Sequence, residues 1–387
     1  MAELAQDTKE ADISEDNLLA IIEMMNAADP AIAGSLVGIA GAYEKLGENQ
    51  KALDHYNKAL NIYDQNQDTC KLQLAGCLNN IGFIYENLGD NLKALEFYEK
   101  ALESKTEANP ENLLSIATTM NNLAGIYEKL DQNDKALEYS EQTLNIRRKH
   151  LPADHVDIAS SLNNIGMIYK KTGHLKEALS NYEKALHILH MNLPEDHHLI
   201  GVCLNNIGSI CFNLGENQKA IGYYERALVI LKKCLPINHS DILKTLQNLS
   251  MAYKKLRMYK EAIECLQQVI AICKKAMPVN IILVASCLSR IGLIHEKMNE
   301  NKKALVSLLQ SYELLYGALP EDHYELGICL NNIGFVYKII GEDEKALDCL
   351  ERAANIFKSN ETFQNKEDYI WVALNNMSEI YGKTAHI

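Results

Sequence analysis

Residues 157–194 read DIASSLNNIGMIYKKTGHLKEALSNYEKALHILHMNLP, and their apolar positions fall into two runs with one break. Ile158, Leu162, Ile165 and Tyr169 recur at intervals of three and four, the spacing that gathers side chains on one face of a helix. Leu175, Ala178, Leu179, Tyr182 and Leu186 repeat the pattern after Gly173, and Pro194 lies beyond them. A glycine between two such runs stops the first helix, and a proline ends the second. The stretch therefore predicts a pair of antiparallel helices, each with one apolar face.

The same pair returns along the chain. Leu36, Leu78, Met120, Leu162, Leu204, Leu246, Leu288 and Leu330 are 42 residues apart, and Leu374 follows after 44. Six of the 7 prolines keep the beat (Pro110, Pro152, Pro194, Pro236, Pro278, Pro320), as do Ala52, Ala94, Ala136, Ala178, Ala220, Ala262, Ala304 and Ala346. Dividing 387 residues by about 150 per domain would suggest two or three domains. The period overrides that division: it belongs to a solenoid or a propeller, whose stacked units bury together a core that none buries alone. A propeller blade needs alternation of period two and usually a recurring Trp, and the chain has 1 Trp. The expected fold is all-α, an α-solenoid of about eight helix-turn-helix repeats plus a final half-repeat.

With Leu162 set as position 4 of its repeat, position 8 is Gly82, Gly166, Gly208, Gly292 and Gly334, with Ala40, Ala124, Ser250 and Ser378 elsewhere. Glycine inside a helix costs roughly 0.5–1 kcal/mol relative to alanine. Its recurrence predicts a close approach of the second helix, whose eight alanines would supply the facing surface.

The pattern Leu162-x2-Ile165-Gly166-x2-Tyr169, then Ala178-x3-Tyr182, then a proline, resembles the tetratricopeptide (TPR) repeat. That repeat normally runs 34 residues, so each helix here is about one turn longer. The 42-residue period, the Leu-Asn-Asn opening and the connector Leu151-Pro152-Ala153-Asp154-His155 look like the arrays of kinesin light chains. Similar arrays occur beside ADP-ribosyltransferase and nucleotide-binding signalling domains. The resemblance covers roughly residues 29–387 and implies a right-handed superhelix; HEAT-type helical pairs are the structural alternative at this period. Residues 1–13 read as a polar tail and 14–28 as a capping helix with Leu18, Leu19, Ile21, Ile22 and Met25 as its stripe. They offer no three or four sustained heptads of the kind kinesin light chains carry. The last repeat stops after its first helix, near Tyr381, either as a cap or as the end of a fragment.

In the first helix of each repeat, positions 4, 7, 8 and 11 cluster on one side, and positions 2, 5, 6, 9, 12 and 13 lie opposite within an arc of about 120°. The resemblance implies that this second face lines the inner groove. Position 6 is Asn80, Asn122, Asn164, Asn206, Asn248, Asn332 and Asn376; position 5 adds Asn79, Asn121, Asn163, Asn205, Asn331 and Asn375. Asparagine is a mediocre helix former, so propensity does not explain the ladder. At position 6 the amides suit either the backbone of an extended peptide or the neighbouring repeat; position 5 is expected to face solvent.

Composition adds a contrast of charge. The chain carries 38 Lys+Arg against 51 Asp+Glu, a net −13. That argues against a nucleic-acid binder. The polar face of the first helices nevertheless holds eleven cations against five acids, with Lys170, Lys171, Lys254, Lys255 and Arg290 in its densest part. Phe83, Met167, Met251 and Phe335 at position 9 offer apolar pockets between them. The face reads as a groove for acidic peptide segments; the competing reading is that lysines at positions 12 and 13 complement the helix C-terminus. Kinesin light chain grooves accept peptides with an aromatic flanked by acids, which this lining suits.

No catalytic, cofactor or metal site is expected. Tyr381-Gly382-Lys383-Thr384 lacks the first glycine of a phosphate loop and follows no strand. Of His187, His190, His197 and His198, the pair His187 and His190 lies at the end of one second helix and recurs in no other repeat, so the group reads as solvated rather than metal-binding. Ten cysteines without a secretion signal read as reduced thiols, and Cys77, Cys203, Cys287 and Cys329 share one position as packing residues do. No apolar run reaches the roughly 18–20 residues of a membrane span. The expected protein is a cytoplasmic, non-enzymatic scaffold or adaptor whose partner is a protein or peptide, in its narrower form a motor cargo adaptor. The alternative is a sensor array governing a catalytic or nucleotide-binding domain in a signalling complex.

Overall fold

A computed structural model describes residues 29–276, 279–360 and 366–384 of the chain, so the predicted tail (1–13) and capping helix (14–28) lie outside the described residues. Among the described residues there are seventeen helices and no strand. The chain divides into two compact units, Met1–Asn192 and Leu193–Ile387.

The first unit holds α1 (Pro30–Lys45), α2 (Asn49–Gln65), α3 (Gln67–Asn87), α4 (Asn91–Ala108), α5 (Leu113–Lys129), α6 (Asn133–His150), α7 (Val156–Lys171) and α8 (Leu175–Asn192). The second holds α9 (His198–Asn213), α10 (Asn217–Cys234), α11 (Ser240–Lys255), α12 (Tyr259–Lys275), α13 (Ile281–Lys297), α14 (Asn301–Tyr316), α15 (Tyr324–Ile340), α16 (Asp343–Ser359) and α17 (Lys366–Thr384). Odd helices are the first helices of the repeats. Within each unit every even helix packs against the odd helix before it and the odd helix after it. This is the stacked-hairpin arrangement that the period predicts.

Each hairpin closes on a left-handed residue at position 15. Gly47, Gly89, Gly173, Gly215 and Gly341 take φ values of +76 to +90° there. The next residue then donates its N–H back to position 11, as from His174 to the Tyr169 carbonyl at 2.8 Å and from Glu216 to the Cys211 carbonyl at 2.8 Å. These bonds satisfy carbonyls that the helix end leaves without partners. The connectors to the next hairpin use a different device. In Pro-x-x-His the histidine N–H bonds the proline carbonyl, 3.0 Å at His155 and 2.9 Å at His197 and His239. The ring then caps the coming helix: Nδ1 of His155, His197, His239 and His323 accepts the N–H two residues on, at 3.1 to 3.3 Å.

The position 8 glycines are where the helices of a hairpin touch. A Cβ on Gly82, Gly166 or Gly208 would fall 2.9 Å from the ring of Tyr98, Tyr182 or Tyr224, and on Gly292 or Gly334 within 2.8 Å of Leu308 or Leu350. The eight alanines are fully buried. It is the larger residue four positions beyond the alanine, however, that lies over the glycine. These rings are the largest fully buried side chains of their hairpins. The Tyr98 hydroxyl donates to Glu86 Oε2 at 2.9 Å and that of Tyr56 to Glu44 Oε2 at 3.0 Å. Burial first, and then these carboxylates, push both phenols far above their ordinary pKa.

All ten cysteines are free thiols. Burial pushes Cys77 and Cys203 up to about 12 and Cys287 and Cys329 up to about 11, which keeps them protonated packing residues.

Two glycines of the first unit make a matched test. Gly166→Ala forces a methyl into the Tyr182 ring and should destabilise by about 1–3 kcal/mol. Gly125→Ala meets no atom within 4 Å and should stabilise by about 0.5–1 kcal/mol. Thermal melts of the two variants should move in opposite directions.

Candidate functional site

Within each unit the polar faces of successive first helices lie side by side, and asparagines on them bond to one another. Nδ2 of Asn122 donates to Asn79 Oδ1 at 3.3 Å, Asn164 to Asn121 at 3.0 Å, and Asn248 to Asn205 at 3.2 Å. Each bond joins position 6 of one repeat to position 5 of the repeat before. The position 6 amides thus hold the stack in register. The expectation that position 5 faces solvent holds at Asn375 and is corrected at the other five: Asn205 and Asn331 are buried and Asn79, Asn121 and Asn163 half-buried, because the neighbouring helix covers them. Among the other position 6 residues, Asn206 and Asn376 are buried, Asn80 and Asn332 are half-buried, and Asn376 Oδ1 accepts from Lys338 Nζ at 2.7 Å.

The cations divide into two kinds. In the first unit, Lys129 Nζ at position 13 lies 2.7 Å from Glu86 at position 12 of the preceding repeat. Lys171 does the same, 3.0 Å from Glu128 and 2.7 Å from Asp131, and also bonds the Glu128 carbonyl. Lys170, beside it, also has an interaction partner. Burial alone would lower the Lys171 pKa, but its bonds to Asp131 and Glu128 outweigh that and raise it. In the second unit Lys338 is tied 2.8 Å from Glu379 and lies over the Phe335 ring at 5.1 Å.

Lys254 and its neighbours behave otherwise. A cavity of about 480 Å³ in the second unit is lined by Phe212, Ser250, Met251, Lys254, Lys255, Arg257, Tyr259, Arg290, Ile294 and Lys297. Helices α9, α11 and α13 contribute its walls, and the α11–α12 turn supplies Arg257. Partial burial, and then repulsion from Arg290 and Lys297, lowers the Lys254 pKa. Burial likewise lowers that of Arg290, whose Nη2 donates to the Gln247 carbonyl at 3.3 Å. Among the described residues, no carboxylate lies within ion-pair distance of Lys254, Lys255, Arg257 or Arg290.

The sequence pattern thus brings Met251, Lys254, Lys255 and Arg290 together in one place. Lys170, Lys171, Phe83 and Met167 belong to the first unit, where Phe83 and Met167 are exposed at position 9 as Met251 is in the second. The sequence reading missed Phe212, Arg257, Tyr259 and Ile294. Arg257 carried a readable signal, since it replaces the glycine found at position 15 in five repeats.

Tyr381-Gly382-Lys383-Thr384 lies within helix α17, which is no place for a phosphate loop. The His197 ring caps α9 and contacts that of His198 at 4.5 Å. No metal-ligating cluster occurs among the described residues, and no helix there is long and apolar enough to cross a membrane.

A family model for the tetratricopeptide repeat matches residues 31–107, 73–149, 115–189 and 196–275, more than half of the chain. No curated protein matches it. Among solved structures, the apo quorum sensor NprR from B. thuringiensis aligns with TM-score 0.57 and 17% identity over 96% of this chain and 94% of that one. The apo form of RapI aligns with TM-score 0.53 and 18% identity over 80% and 99%. A kinesin-light-chain-like repeat structure from Podosopora anserina aligns with TM-score 0.45 and 24% identity over 53% and 97%.

The amide ladder has a direct test. In a double-mutant cycle of Asn121→Ala and Asn164→Ala, chemical denaturation should return a coupling of about 0.5–1.5 kcal/mol, the net worth of one hydrogen bond.

Proposed function

The chain belongs to the tetratricopeptide repeat family, and from that premise we propose that it is a non-enzymatic scaffold binding extended, acidic peptide segments on the polar face of its first helices. The observation that carries this reading is the cavity of the second unit, where four cations form no ion pair among the described residues. An acidic protein of net −13 that concentrates free positive charge in one concave place has a use for an anion there. Exposed Met251 beside Lys254 and Lys255 supplies the apolar contact that gives a peptide site its affinity, while the cations select the ligand and speed its arrival.

The narrower form of the reading is a motor cargo adaptor of the kinesin-light-chain kind. A co-precipitation of the full chain with a kinesin heavy chain tests it directly. A sensor array governing a catalytic or nucleotide-binding domain is the competing use of the same fold. It predicts a turnover or nucleotide-exchange partner rather than a passenger.

The expected ligand is a peptide with an aromatic residue flanked by Asp and Glu. A labelled pool of such peptides should bind the full chain in fluorescence anisotropy and weaken steeply with salt. Lys254→Glu with Lys255→Glu should keep the melting temperature and cost about tenfold or more in affinity. Lys171→Glu, by contrast, places a like charge against Glu128 and Asp131 and should lower the melting temperature. Undiminished binding by the Lys254/Lys255 variant at moderate salt would sink the proposal.

A further inference from the structure

The repeat supplies its own control for what is unusual about the cavity. In the first unit two lysines at position 13 find a carboxylate at position 12 of the preceding repeat: Lys129 finds Glu86, and Lys171 finds Glu128. The same offset in the second unit pairs Lys255 with Phe212 and Lys297 with Lys254. The built-in counter-charge has been replaced by an aromatic ring and by a further cation.

The amide ladder is replaced at the same place. Where Asn248 still bonds Asn205, the next step up has Gln247 and Arg290, and the guanidinium reaches back to the Gln247 carbonyl through Nη2. One neutral register bond thus becomes one charged anchor. A guanidinium carries five N–H donors, so this anchor leaves donors to spare.

The third difference lies in the backbone. Of the eight hairpin turns, five use glycine at the left-handed position, and Asp131 and Asn299 occupy it at φ 59° and 60°. Asp and Asn tolerate that conformation because their short side chains bond locally. Arg257 sits there at φ 59° with no such help. Strain of this kind persists where the surroundings enforce it, and it gathers at functional sites. Its side chain borders the cavity.

Each change adds positive charge to the cavity or removes negative charge from it, and Lys297 is the only one of the five cations in an ion pair among the described residues, 3.2 Å from Glu296. A single carboxylate brings one charge and two oxygens. A phosphomonoester brings about −1.5 to −2 charges and three strong acceptor oxygens at neutral pH. It suits an Arg fork flanked by lysine point charges. Phe212, Met251 and Ile294 leave apolar wall for the side chain that carries it.

We propose that this cavity is a phosphate-binding pocket that receives a phosphorylated serine or threonine of a bound peptide. The proposal rests on the reading of the chain as a peptide scaffold and names the chemical group at its centre.

The test measures anisotropy of the full chain with three labelled degenerate peptide pools, identical except for one fixed position: phosphoserine/phosphothreonine, Ser/Thr, or Glu. The phosphorylated pool should bind about tenfold tighter than the unmodified one and several-fold tighter than the Glu pool, as charge-assisted, bidentate bonds allow. Millimolar inorganic phosphate should erase that advantage. Arg290→Lys, which keeps the charge and loses the fork, should lose most of it. Arg257→Gly separates binding from folding: it relieves the turn, so the melting temperature should rise while phosphopeptide affinity falls.

Equal binding of the phosphorylated and Glu pools, both abolished by Lys254→Glu, would overturn the phosphate proposal and leave the acidic-peptide scaffold standing. No binding of any pool would remove both. Binding of inorganic phosphate without any difference between pools would overturn the peptide assignment of the pocket. A phosphate advantage that survives both Arg290→Lys and Arg257→Gly would place the site elsewhere and overturn it too.

Discussion

In five of the eight hairpins the spacing of the two helices depends on one contact, a helical position without a side chain lying against a large buried residue. With a Cβ at position 8 the ring of Tyr182 would be 2.9 Å away, closer than atoms pack. Glycine there weakens the helix locally, and burial of the ring offsets the cost. A tyrosine or leucine that cannot be buried otherwise is enclosed completely. Because the contact recurs, successive hairpins keep similar dimensions and their first helices line up within each unit. The amide bonds between repeats require that alignment. A donor at position 6 meets an acceptor at position 5 only if the neighbouring helices repeat their phase and separation.

The fold was legible because periodicity is redundant. Leucine, glycine, tyrosine, alanine and proline each report the same 42-residue beat, so no single substitution hides it. The close approach at Gly82 and Gly166 could be read from the cost of glycine alone. What position 5 does could not, because the arc argument treats one helix in isolation. Asn205 and Asn331 are covered by a helix one repeat away, and nothing in the local pattern marks its arrival. The histidine of the Leu-Pro-x-Asp-His connector was visible as a family resemblance. Its work as a helix cap appeared only with the geometry of Nδ1.

The candidate site was half legible for a similar reason. Counting charge on one face found Lys254, Lys255 and Arg290. It also counted Lys171 as their equal, although acids from the neighbouring repeat neutralise it. Exposure to a ligand is set by what stands 43 residues earlier. Phe212 matters because it fails to be a glutamate. Arg257 was readable by the same comparison, as an interruption in a column of glycines.

The amide bond between repeats has a consequence for how such a chain can grow. A repeat that carries an acceptor at position 5 and a donor at position 6 is complementary to a copy of itself. A duplicated hairpin inserted beside its parent would find a ready-made neighbour on both sides, with no new interface to invent. The stretch carrying Gln247, Arg290, Phe212 and Lys254 has given up that interchangeability. Its members fit one order only, so gene duplication can lengthen the array on either side of them but cannot pass through them without dismantling the site.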